Sequence, residues 1–110
     1  MSMTTQIAFH GLDPSPAMEA QARRHAAGLA QLSDRIVACK VALEAAHRSQ
    51  RPGAVYRVRI ELMVPGGEIV VSQEPTADHA HEDMRVAIRD AFDVARRQLR
   101  DRKRRLDAAR

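Results

Sequence analysis

The stretch Val55–Val64, VYRVRIELMV, constrains the fold more than any other part of the chain. Tyr56, Val58, Ile60, Leu62 and Val64 fall on one side, and Arg57, Arg59 and Glu61 on the other. A period of two belongs to a strand with one face buried and one face wet. Pro65-Gly66-Gly67 interrupts the pattern, and Glu68–Gln73, EIVVSQ, resumes it. The two segments therefore read as a hairpin. A lone hairpin is marginal in water, so its apolar face needs further strands beside it or helices against it.

The rest of the chain supplies both. Gln6–Gly11 reads as a first strand ended by glycine. In LDPSPAME, Asp13 is placed to cap a helix, with Pro14 or Pro16 in its first turn. Met18, Ala22, Ala26, Leu29 and Leu32 then recur at spacings of four and three, one apolar helical stripe, and Ser33–Arg35 closes it. Ile36–Ala45 satisfies helix and strand patterns alike. Its β-branched start and the strand signals after it favour a strand. His47–Gly53 and Glu74–Asp83 are polar and read as loops. Met84, Ala87, Ile88, Ala91, Phe92, Ala95 and Leu99 mark a long final helix. Beyond Leu99 only Leu106 continues its stripe, so the last turns are expected to project past the sheet or fray. The order is β-α-β-β-β-α. It predicts one α+β domain over residues 1–110, with two helices on one face of a four-stranded sheet and a basic helical end at about 96–110. If the first two strands are parallel, the first helix is their right-handed crossover.

Composition narrows the function. Aromatic residues are 3% of the chain, which disfavours single-strand binding by base stacking. Cys39 is the sole cysteine, so one chain holds neither a disulfide nor a cysteine zinc site, and its strand context makes it a small buried hydrophobe. The first residues, MSMTTQIAFHG, lack the basic start and apolar run of a signal peptide, and no apolar window is long enough to span a bilayer. A reducing, cytoplasmic setting without membrane attachment is expected. In DHAHED, His79 and His81 stand two apart with no third ligand set by spacing, so no metal is assigned. Pro65-Gly66-Gly67 is not a phosphate loop. No activated nucleophile or acid–base pair is evident. The reading is a non-enzyme without cofactor or small-molecule substrate.

The charge, by contrast, is concentrated. Seven of the ten residues from Arg96 to Arg105 are cationic; less Asp101 they give +6, leaving −2 for the remainder of a chain whose total is +4. Arg89, Arg96, Arg100, Lys103 and Arg104 follow helical spacing and form one cationic face, which Arg97, Arg102 and Arg105 widen. Cations near a helix C-terminus have a macrodipole motive, but one or two satisfy it. Seven fit phosphate backbones, where each neutralised phosphate adds salt-dependent affinity. An acidic membrane surface would want bulky apolar residues opposite the charge, and these turns are alanine-rich. Arg23 and Arg24 on the first helix and Lys40, Arg57 and Arg59 on the sheet are secondary candidates, with Glu61 cancelling part of the sheet's charge.

His81–Arg105, HEDMRVAIRDAFDVARRQLRDRKRR, resembles the final helix of the ribosome hibernation-promoting factor and ribosome-associated inhibitor family, in its short, sigma-54 modulation protein-like form. The matching pieces are Asp83-Met84, Ala87-Ile88, Asp93, Arg97-Gln98-Leu99 and Lys103. Val64–Glu74, VPGGEIVVSQE, is similar to the family's second hairpin, and the similarity runs through nearly the whole chain in the same element order. Arg85 stands where that family usually has tyrosine, and a form without a second module after the basic helix is expected.

The resemblance implies a protein that binds small-subunit rRNA in the channel for mRNA and tRNA and silences idle ribosomes under stress. It implies contacts from basic residues to rRNA phosphates, with Arg97 and Lys103 the direct matches and Arg100 and Arg104 extending the surface. Two other readings stay open from the residues alone: a general nucleic-acid binder, and a regulator whose basic helix docks an acidic protein partner.

Overall fold

The computed structural model describes residues 3–47, 54–73 and 84–108. The order is β1 (Thr4–His10), α1 (Pro16–Leu32), β2 (Ala38–His47), β3 (Ala54–Val64), β4 (Gly67–Gln73) and α2 (Met84–Ala108). The strands form one sheet in the order β1-β2-β3-β4. β1 runs parallel to β2, joined through α1, and the other two pairs are antiparallel. This is the expected α+β arrangement.

Local chemistry explains the boundaries. The α1 cap is Ser15 rather than Asp13: Met18 N–H donates to Ser15 Oγ at 3.3 Å, and Pro16 opens the helix. Pro16 has its φ preset and lacks only an N–H that the first turn would leave unpaired. Serine immediately before that proline therefore caps better than an aspartate three residues upstream. The helix ends where Ser33 N–H donates to the Leu29 carbonyl at 3.2 Å. At the β3–β4 turn Val64 faces Gly67, leaving Pro65-Gly66 as the linker. Gly66 takes φ +84°, the left-handed value that proline–glycine turns require of their second central residue. His47 ends β2 instead of opening the loop, because it pairs with Ala54 across the β2–β3 ladder. Arg48–Gly53 and Glu74–Asp83, with His79 and His81, lie outside the described residues.

The alternation in β3 sorts the sheet. Val58, Ile60 and Leu62 are buried, as are Cys39, Val41 and Leu43 on β2 and Ile69 and Val71 on β4. On this face lie both helix stripes: Ala22, Ala26 and Leu29 from α1, and all seven expected residues from Met84 to Leu99 on α2. Burying a side chain such as Phe92 or Leu99 contributes roughly 1.5–3 kcal/mol. Among the described residues, no helix packs on the opposite sheet face. α2 continues to Ala108, more than two turns past Leu99, so its end projects as helix.

Candidate functional site

α2 displays its cations by helical geometry. At about 100° per residue, Arg89, Arg96, Arg97, Arg100, Lys103 and Arg104 fall within an arc of about 120° beside the buried stripe. The arc is not uniform. Arg89 is paired with Asp90 at 3.3 Å, and Arg104 with Asp101 at 2.9 Å. Arg97, Arg100 and Lys103 are exposed and have no ion pair among the described residues. Within the arc, these three are the cations freest to meet phosphate.

Arg96 departs from the expected face. It is half-buried, its Nη2 lies 3.6 Å from where a Cβ on Gly28 would stand, and its Nε is buried without a hydrogen-bond partner among the described residues. The guanidinium thus crosses the α1–α2 seam beside Gly28. One turn back, His25 stacks on Phe92 with ring centroids 5.2 Å apart and planes 15° from parallel. Burial there lowers the His25 pKa; Asp93 opposes the shift, while Arg96 and then Arg24 reinforce it. Gln21 Nε2 donates to the Arg85 carbonyl at 2.9 Å and ties the two helices together near the start of α2. Arg85, where a tyrosine was the family expectation, is exposed.

On α1, Arg24 is exposed, whereas Arg23 is held by Glu19 at 3.0 Å and reaches the Thr5 carbonyl at 3.4 Å. Arg57 and Arg59 lie across the sheet from the helices. Arg57 pairs with Glu44 at 3.8 Å and Arg59 with Glu61 at 3.2 Å, so local carboxylates offset both. Lys40 sits opposite Glu61 on the same face. The expected cations thus divide between the helical layer and the bare sheet face, and the unpaired ones concentrate on α2.

Two cations behave in ways the linear pattern did not reveal. Arg102 points away from the arc: its Nη2 donates to the Pro65 carbonyl at 3.2 Å and lies over Gly66 and Gly67. Arg35, just past the end of α1, lines a groove with Arg100, Arg102 and Lys103. The helical spacing of position 102, opposite the other cations, was the available signal for the first. For Arg35 none existed, because the groove joins three distant segments.

Remaining side chains fit packing roles. Burial pushes the Cys39 thiol up to about 11, the behaviour of an inert core cysteine. No metal-type cluster of His, Cys, Asp or Glu occurs among the described residues, and no helix among them is long and apolar enough to cross a membrane.

A helix pair on one face of a β1-β2-β3-β4 sheet, with a projecting cationic α2, defines a class of small α+β domains that present a basic helix. The sequence model of the family described as sigma 54 modulation protein / S30EA ribosomal protein matches residues 5–107, and the chain belongs to that family. No curated protein matches it significantly. Two solved structures share the fold. The N-terminal domain of Thermus thermophilus Protein Y is 24% identical, with TM-score 0.64, over 84% of this chain and 90% of that one. A ribosomal subunit interface protein from Coxiella burnetii is 18% identical, with TM-score 0.69, over 91% of this chain and 97% of that one.

Proposed function

We propose that this protein is a translation inhibitor that binds the small ribosomal subunit and silences idle ribosomes. Family membership supports ribosome association, as does the name of one fold neighbour, a ribosomal subunit interface protein. The observation that carries the finer reading is the trio Arg97, Arg100 and Lys103, which α2 presents unpaired among the described residues.

The mechanism is steric. A domain with its core packed behind both helices is a stiff wedge, and the cationic face of α2 grips rRNA phosphates. Phosphate contacts set position without reading bases, so selectivity rests on the shape of the rRNA cleft. In the channel for mRNA and tRNA such a wedge excludes both. Residues 1–110 act as a single ribosome-binding domain in the cytoplasm, with no catalytic step and no cofactor.

Competition tests this. Small subunits preloaded with mRNA and a P-site tRNA should take up far less labelled protein than empty subunits. Equal uptake would place the binding outside the channel and defeat the steric mechanism.

A further inference from the structure

The overhang of α2 creates a second surface that shares only Arg100 and Lys103 with the cationic arc. Past the edge of the sheet, the buried stripe of α2 runs on through Leu99 to Leu106, two turns later on the same side. Leu99 is buried, but Leu106 is 51% exposed because neither α1 nor the sheet extends far enough to cover it. Beneath the overhang lies an open groove of about 750 Å³ between the end of α1, the β3–β4 turn and α2. Its floor is aliphatic: Leu32, Val64, Leu99 and Leu106. Its rim carries the cations Arg35, Arg100, Arg102 and Lys103 against the carboxylates Asp34 and Asp107, a balance of +2. Arg102 is fixed over the turn by its bond to the Pro65 carbonyl, so one wall is already formed.

We propose that this groove docks an acidic, amphipathic protein segment, with aliphatic side chains on the Leu99–Leu106 floor and carboxylates on the cationic rim. Three observations favour a protein segment over RNA. The floor is aliphatic, whereas phosphate contacts need no apolar floor. No aromatic ring lines the groove for a base to stack on. The groove lies under the stripe of α2, while Arg97 and Arg104 sit about 140–160° around the helix from Leu99, so the floor faces away from much of the cationic arc. Arg100 and Lys103 border both surfaces. A partner in the groove would therefore compete with phosphate for part of the arc.

The test uses the full chain with labelled methyl groups. The probe is a synthetic peptide with two leucines one helical turn apart among glutamates. Its counterparts are the same peptide with serines for the leucines, and a single-stranded RNA oligonucleotide. The leucine peptide should shift the methyl resonances of Leu32, Val64, Leu99 and Leu106, and the serine peptide should not. Leu106→Ser should weaken the leucine peptide about tenfold, the loss of one buried aliphatic contact, with the unfolding midpoint unchanged. Arg35→Gln, outside the cationic arc, should weaken it severalfold. Equal shifts from the serine peptide would reduce the effect to charge alone and overturn the proposal. So would silence of all four methyls, or stronger shifts from RNA, which would assign the groove to the nucleic-acid surface. Each of these readouts is independent of ribosome binding.

Discussion

Replacing Arg97, Arg100 and Lys103 together by alanine should change how binding depends on salt more than it changes the fold. All three are exposed, and none has an ion pair among the described residues, so each can neutralise one phosphate without first giving up a carboxylate. Three lost contacts flatten the plot of log affinity against log salt by about 2 units for single-strand-like phosphates and nearly 3 for duplex-like ones. Between 50 and 200 mM salt the parent should therefore lose roughly 20- to 40-fold more affinity than the variant. Anisotropy titrations of labelled protein with small subunits at four salt concentrations measure this directly. Arg104 supplies the control, because Asp101 already holds it at 2.9 Å. Asp101→Asn should free it, raise affinity and steepen the slope by up to about one unit. A triple variant with the parent's slope, or an Asp101→Asn variant that flattens it, would refute the assignment of phosphate contacts to this arc.

Three further outcomes follow from the packing. Phe92→Ala removes the ring that joins α1 to α2 and should cost about 3–5 kcal/mol in urea unfolding, much of the stability of a chain this size. His25 has its folded pKa below the unfolded value of 6.5, so its neutral form is the one folding favours. Stability should be full above pH 6.5 and fall as pH drops from there toward the folded pKa; His25→Gln should lessen that fall, and an unchanged profile would contradict it. Cys39, with its thiol raised to about 11 in the core, should resist iodoacetamide at pH 8 until the chain is unfolded.

Much of this architecture is legible in the sequence because two periodicities dominate it. The alternation of β3 states which side chains are buried, and the α2 stripe from Met84 to Leu99 is buried as its spacing indicates. The boundaries were less legible because neighbours compete. Asp13 and Ser15 are both capping residues, and Pro16 decided between them; His47 looked like loop until Ala54 paired with it. The cationic arc was readable as helical spacing, but its chemistry was not. Which arginines are free depends on Asp90, Asp101, Glu44 and Glu61, and Arg96 packs beside Gly28, sixty-eight positions away on another helix. Spacing within α2 carries no information about that crossing. The groove was least legible, since Arg35, Pro65 and Leu106 meet only in the folded chain.

On this reading α2 fastens the domain to the small subunit. Sedimentation of the purified protein with separated ribosomal subunits through sucrose, at low and physiological salt, tests it most directly. Co-migration with the small subunit should survive physiological salt and be lost when Arg97, Arg100 and Lys103 are replaced by alanine. Protein that stays at the top of the gradient, or triple-variant protein that co-migrates as well as the parent, would contradict it.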